Sequence, residues 1–294
     1  KEQEQGGKQT ALHHDVALLS MIRKQDRLSI NLSQTAAHCK ANPPCVNAGF
    51  GIYYISMEKS ACGQEELPMK LMVIDGNSIL NRAYYGIRPL TTRDGLYTHA
   101  IFGFLTTLLR LEGEEAPDAL CVTFDVHAPT FRHQASEAYK ATRKPMPEEL
   151  RVQVPVLKEV LDALNIPRYE QEGWEADDLI GTISRKCEAD GWDCVVVTGD
   201  KDSLQLITDH TMVKLVSTRM GQTTTKDMTE TAFQEQYGFA PIHMIDLKAL
   251  MGDSSDNIPG VPGIGEKTAM ALIQQYESID NLYAKMPDIE AKPA

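Results

Sequence analysis

The sequence predicts an α/β fold, a mainly parallel central sheet flanked by helices, and three observations carry that expectation. The chain is 294 residues long, 42% hydrophobic and 24% charged, enough apolar material for a sizeable core in an ordinary globular protein. From Met69 onward, short apolar runs alternate with amphipathic helical patterns, the signature of parallel strands covered by helices. Three of those runs also deliver an acidic side chain at or just past their ends, Asp75, Asp125 and Asp200, where open α/β sheets place their ligand sites.

Residues 1–68 show no steady periodicity, mix Gln, Asn, Ser and His, and include "NPP" and "GFG", so a poorly ordered extension is expected there. Within it, "FGIYYI" alone has the make-up of a short strand. The strands that follow are expected at "KLMVI", "ALCVTF", "DCVVVT" and "MVKLV". Between them lie helical patterns: "THAIFGFLTTLLRLE", capped by Thr98; "PEELRVQVPVLKEVLDALN", bent at Pro155; and "EADDLIGTISRKCEADG", ending at Gly191. After "MVKLV" the pattern turns helical through "TETAFQEQYG", "PIHMIDLKALMG", "NIPGVPGIGEKTAMALIQQY" and "SIDNLYAKM". The expected division is therefore a core over 69–218 and a helical subdomain over 219–294, the chain stopping at "EAKPA" before an evident final packed element.

No window approaches the roughly 18 apolar residues of a membrane span, and the Val16–Ile22 patch lacks the basic flank and cleavage site of a signal peptide. A cytoplasmic monomer with no membrane partner is expected. Cysteines 39, 45, 62, 121, 187 and 194 show no Cys-x2-Cys spacing, so neither zinc nor a disulfide framework is indicated, His38 beside Cys39 notwithstanding. The net charge of −12 argues at first against a phosphate-bearing partner. Its distribution changes that, because residues 1–68 hold seven basic and seven acidic side chains, leaving all of the excess after position 68.

Much of that excess falls in a few places. Besides Asp75, Asp125 and Asp200, the stretch "GWEADD" holds Glu175, Asp177 and Asp178, "GDKD" adds Asp202, and "GDSSDN" holds Asp253 and Asp256. Singly, Asp177 and Asp202 are explained as helix caps and Asp253 as a turn former. Caps do not explain acids after three apolar runs together with two acid-rich loops. Hard divalent cations want several oxygen ligands, and two such ions about 4 Å apart activate water and clamp a phosphodiester.

"VIDGNSILNRAYYG", "FDVHAPTFRHQASEAYKATRKPMPEEL", "GWEADDLIG", "TGDKDSLQLI" and "GDSSDNIPGVPGIGEKTA" together resemble the 5'-nuclease domain of bacterial DNA polymerase I, in the flap endonuclease superfamily. The resemblance spans residues 69–294. It implies a PIN-like α/β core, a helical arch over 128–151 and a C-terminal helix-hairpin-helix subdomain. It carries the metal ligands over to Asp75, Asp125, Glu175, Asp177, Asp178, Asp200, Asp202, Asp253 and Asp256, with two Mg²⁺ or Mn²⁺ ions. The implied activity is divalent-metal-dependent hydrolysis of DNA at 5' ends and flaps, in primer removal and repair, on DNA with 5' flaps, nicks or single-strand/duplex junctions.

The basic residues fit beside it. From Thr130 to Arg151 the chain holds Arg132, Lys140, Arg143, Lys144 and Arg151 against Glu137, Glu148 and Glu149, with Phe131 and Tyr139 interleaved. Composition alone leaves a solvated helix face and a single-strand guide equally open. "YKATR" is similar to the family's arch motif, which implies catalytic roles for Tyr139, Lys140 and Arg143, and Arg82 matches a basic position near the family's active site. Gly260, Gly263 and Gly265 precede a helix expected near Glu266, where exposed N–H groups and Lys267 suit phosphate. By resemblance this is a duplex-gripping hairpin, with K⁺ among its carbonyls. The Walker spacing is absent, which disfavours nucleotide hydrolysis. A non-catalytic DNA-binding module is the competing class; an Asp-nucleophile phosphatase is disfavoured because "VIDGN" lacks a second aspartate two residues on.

Overall fold

The computed structural model describes residues 68–285. The expected extension over 1–68, with its candidate strand "FGIYYI", lies outside the described residues except for Pro68, and so do Cys39, Cys45 and Cys62. Six strands form one sheet: β1 (Lys70–Asp75), β2 (Ala119–Thr123), β3 (Arg168–Tyr169), β4 (Asp193–Thr198), β5 (Thr211–Arg219) and β6 (Gln222–Met228). Their order is β3-β2-β1-β4-β5-β6, all pairs parallel except β5 with β6. The chain thus moves outward from β1 to β3 and returns to β4 on the other side of β1. This reversal opens a crevice at the carboxyl ends of β1 and β4, the position where such sheets bind ligands.

The four expected apolar runs are β1, β2, β4 and β5. The expectation of purely helical structure after "MVKLV" is corrected by β6. Met220 and Gly221 both have positive φ, 51° and 78°, the two-residue turn whose twist suits a hairpin. "QTTTKDM" runs along an edge, mostly exposed or half-buried, so it needs no apolar alternation and gives no hydrophobic signal. A division at 218/219 would cut this hairpin, and the sheet in fact ends at Met228.

Among the described residues, ten α-helices accompany the sheet, together with 3-10 turns over Lys201–Leu206 and Pro241–His243: α1 (Gly76–Gly86), α2 (His99–Glu115), α3 (Phe131–Ala135), α4 (Glu148–Arg151), α5 (Gln153–Ala163), α6 (Ala176–Ala189), α7 (Glu230–Tyr237), α8 (Met244–Met251), α9 (Glu266–Tyr276) and α10 (Ile279–Lys285). Successive strand residues point to opposite faces. Leu71 and Val73 therefore pack with Ile180, Ile183, Phe233, Leu247 and Ile273 of α6, α7, α8 and α9, while Met72 and Ile74 are buried on the side of α1, α2 and α5. Each fully buried side chain such as Phe104, Phe233 or Leu157 contributes about 1.5–3 kcal/mol.

One helix start is capped differently from expectation and one helix break is displaced. Thr98 stands at the N-cap of α2 but makes no side-chain cap bond. Instead Gln153 Oε1, fully buried, accepts from the N–H groups of Ala100 and Ile101 at 2.9 and 3.3 Å. The break expected at Pro155 occurs at Val152, between α4 and α5. Proline lacks the N–H that would reach back four residues and its ring crowds that carbonyl, so the discontinuity appears one turn earlier. The segment 128–151, expected as a helical arch, contains only the short α3 and α4 joined by turns.

Candidate active site

Asp75 ends β1, Asp125 lies two residues past β2, and Asp200 two residues past β4. Asp177 and Asp178 occupy the first turn of α6, which follows β3. Because β3, β2, β1 and β4 are neighbours and parallel, one edge of the sheet receives all of these carboxylates.

Hydrogen bonds tie them together. Asp75 Oδ1 accepts from Ser78 N–H at 2.9 Å and caps α1, while its Oδ2 accepts from the Thr198 hydroxyl at 2.8 Å. Thr198 in turn accepts from Asp200 N–H at 3.0 Å, so the ends of β1 and β4 are joined through one hydroxyl. Asp125 accepts from Ala176 N–H at 2.7 Å and from Asn77 at 2.9 Å. It thereby faces the N-terminus of α6, where an anion is favoured.

The nine predicted carboxylates divide into two sets. Among the described residues, no Lys or Arg forms an ion pair with Asp75, Asp125, Asp177 or Asp200, whereas each of the other five has one. Arg132 grips Asp178 with two 2.7 Å bonds. Lys140 Nζ lies 2.8 Å from Glu175 Oε2, Arg143 pairs with Asp256, and Tyr139 donates to Glu175 at 2.9 Å and Asp256 at 3.3 Å. Lys248 bridges Asp202 and Asp253.

Electrostatics follow this division. Burial, with Asp125 and Asp200 nearby, pushes the Asp75 carboxyl up to about 6, although Ser78 and Thr198 oppose the rise. Asp177 is raised too, by desolvation and by Asp75, Asp200 and Asp125; its side chain reaches solvent, so the neighbouring charges are the cause that counts. Asp202 is raised by burial and by Asp200, against the pull of Lys248. Burial would raise Asp253, but Lys248 and Ser255 outweigh it and hold that carboxyl at about 2. Burial opposes ionisation of Asp178 as well, yet Arg132 and the Glu175 N–H keep it low. Burial and Glu175 raise the Tyr139 hydroxyl, which stays a donor.

These donors fit hard divalent cations. Four carboxylates gathered at the carboxyl ends of the strands without an ion-pair partner, two of them raised despite the pull of Lys140 on Asp177, are the donor set for which an ion would offset mutual repulsion. Among the described residues no three acidic, His or Cys side chains already close on one point as a metal cage. Uncompensated like charges splay, and Mg²⁺ takes only one or two direct carboxylates while keeping waters.

The capping expectations need correction. Glu175, not Asp177, stands at the N-cap of α6, and its N–H donates to Asp178 at 3.0 Å. Asp200, not Asp202, caps the 3-10 turn over Lys201–Leu206. Arg82 donates to the Gly199 carbonyl beside the crevice, and any Cβ at Gly199 would fall on its guanidinium. Gly260 is committed to packing: a Cβ there would lie 2.4 Å from the Met251 backbone. Gly263 and Gly265 face open space ahead of α9, Lys267 is exposed in its first turn, and Lys144 is exposed.

Lys248, Thr198, Ser78 and Asn77 were not among the predicted site residues. Only Lys248 left a trace, a lone cation five residues before Asp253 in "DLKALMGD". A cleft of about 370 Å³ lined by Ser78, Arg82, Asp200, Asp202 and Lys248 opens beside the carboxylates.

The chain has the fold of the bacteriophage T5 5'-exonuclease. That protein, solved with divalent zinc ions, superposes with a TM-score of 0.60 at 23% identity over 76% of this chain and 81% of its own. The T5 flap endonuclease in a pseudo-enzyme-product complex with DNA and metal ions gives 0.58 at 23% identity, with the same coverage. Residues 70–238 match the model for the 5'-3' exonuclease N-terminal resolvase-like domain and residues 239–294 that for its C-terminal SAM fold. The chain belongs to the 5'-3' exonuclease family. Its similar relatives include the DNA polymerase I proteins of Caldicellulosiruptor bescii and Bacillus subtilis, each 44% identical over 223 residues and 76% of this chain. The aligned stretch is about a quarter of the length of those relatives, 26% and 25%.

Proposed function

We propose that this chain is a structure-specific 5'-nuclease that hydrolyses DNA phosphodiesters at 5' ends, flaps and junctions, serving primer removal and repair. The observation that carries the reading is the set of four unpaired carboxylates, Asp75, Asp125, Asp177 and Asp200, at the switch point of the sheet. One or two of these would hold a first Mg²⁺ or Mn²⁺ directly and the others through its bound waters, and Asp178, Asp202, Asp253, Asp256 and Glu175 would complete the surroundings of a second. When bound, such ions supply an activated water and charge neutralisation at the phosphate.

The chain's own residues do the rest. Thr198 and Ser78 orient Asp75. Lys140 and Arg143, now on Glu175 and Asp256, stand within reach of an incoming phosphate, whose negative charge in the transition state they would stabilise. Exposed Lys144 and the open backbone at Gly263 and Gly265 would position single-stranded and duplex arms by sequence-independent phosphate contacts. The test is cleavage of end-labelled 5'-flap DNA with Mg²⁺ and with chelator. Metal-dependent release of short 5'-phosphorylated products, lost in Asp125→Ala, is expected; flap binding with no product at any metal concentration overturns the reading.

A further inference from the structure

Beside the carboxylates, two aromatic rings lie together on the surface. Phe131 is 43% and Trp174 50% exposed, with centroids 5.1 Å apart and planes inclined by 55°. Rings of this size dominate burial energetics where they are covered, yet this pair touches and remains half open. Phe131 N–H donates to the Gly173 carbonyl at 3.2 Å, and Trp174 N–H to Gln171 at 3.2 Å. Gly173 has φ +85°, a conformation glycine adopts without steric cost, so the turn bearing Trp174 is held against α3.

Each ring adjoins the site through the next residue. Phe131 precedes Arg132, whose guanidinium lies 4.5 Å from the Phe131 centroid while it grips Asp178. Trp174 precedes Glu175, which carries Lys140. A base stacked on these rings would therefore belong to a nucleotide whose phosphate neighbours Lys140 and the carboxylates. Two rings are also far too small for a protein interface, which needs about 1,000 Å²; with their planes inclined by 55° and Arg132 lying over Phe131, a flat heterocycle would stack on Trp174 and meet Phe131 at its edge.

We propose that Phe131 and Trp174 form a stacking platform for one unpaired nucleobase of the strand being cut, making them positioning residues. This rests on the nuclease reading. Every base has a π face, so the platform selects an unpaired base without selecting its sequence.

Trp174 allows a direct test, because the only other tryptophan in the sequence, Trp192, packs partly buried against the core. In a Trp192→Phe background the emission reports Trp174 alone. Titration with 5'-flap DNA in chelator is expected to quench it, and moving a single abasic site through the flap and junction should abolish quenching at one position. Trp174→Leu and Phe131→Leu should each weaken flap binding about tenfold, raising KM more than they lower kcat, with Trp174→Phe restoring most of the loss. If flap DNA binds and is cut but the emission does not respond, or every abasic strand quenches like the intact one, the platform is overturned while the nuclease reading stands. If DNA neither binds nor is cut, both fall.

Discussion

Lys248 Nζ lies 2.7 Å from Asp202 Oδ1 and 2.8 Å from Asp253 Oδ2, a single cation from α8 spanning the turn after β4 and the loop after α8. Burial would lower the Lys248 pKa, yet the two carboxylates raise it, so it is charged throughout the working range. Its removal leaves two partly buried acids facing each other. Lys248→Met is expected to lower stability by about 1–2 kcal/mol, discounted because the side chain is 30% exposed. Added Mn²⁺ should then raise the melting temperature of the variant more than that of the parent, because the ion takes the place of the lost charge. Equal shifts in a thermal melt with and without metal would count against the bridge.

Asp75 tests the opposite situation, a carboxylate without a cation. Its folded pKa is raised from 3.8 to about 6, so its contribution to stability is fully present below 3.8 and is lost as pH rises through about 6. At 1.36 kcal/mol per unit this is on the order of 3 kcal/mol. Asn caps helices as well as Asp does and still accepts from Ser78. Asp75→Asn in chelator is thus expected to be about 2 kcal/mol more stable than the parent at pH 8 and similar at pH 3.5, while cleavage with Mg²⁺ falls roughly 100-fold or more. Urea titrations at the two pH values decide it: a variant less stable at pH 8 contradicts the repulsion argument.

What the sequence made legible follows from which signals are local. β1, β2, β4 and β5 stand out because buried central strands are continuous apolar runs, and Asp75, Asp125 and Asp200 stand out because they follow those runs. β6 carries its pairing in backbone bonds along a polar edge, and β3 is two residues long, so neither leaves an apolar pattern. The N-cap of α2 falls at Thr98 as its sequence indicates, but the capping bonds do not come from it: Gln153, 53 residues from Ala100, supplies what the Thr98 hydroxyl would have supplied locally. The division of nine carboxylates into paired and unpaired sets depends on where Lys140, Arg132, Arg143 and Lys248 come to rest, which spacing along the chain does not encode.

Lys214 gives a prediction at alkaline pH. It lies on β5, almost wholly buried, with Nζ 2.8 Å from Glu115 and 2.5 Å from Asp227, tying the end of α2 to the β5–β6 hairpin. Burial alone would lower its pKa, but Asp227 and Glu115 raise it above 10.5. The stability it adds is fully present below 10.5 and is lost as pH rises through the folded value. Lys214→Met should cost about 2 kcal/mol at pH 8 and flatten the fall in stability above pH 10.5. Parallel slopes for parent and variant in that range would show that Lys214 does not carry the effect.

The glycines before α9 separate packing from recognition. Gly252 has φ +75°, and a Cβ there would lie 2.3 Å from Gly260 N, so Gly252→Ala must open the loop holding Asp253 and Asp256. Backbone strain and overlap together should destabilise by about 2 kcal/mol or more, visible as a lower melting temperature before any DNA is added. Gly265 is different: it is the N-cap of α9, its backbone is extended at φ −94°, and nothing lies within 4 Å of a Cβ built there. Serine is a favoured N-cap, so Gly265→Ser should melt like the parent or slightly higher. Its hydroxyl would nevertheless occupy the N–H groups at the start of α9 that a phosphate would otherwise receive. Duplex DNA affinity, measured at fixed salt, should therefore drop about tenfold in Gly265→Ser with no loss of stability; unchanged affinity would remove this turn from the DNA-binding surface.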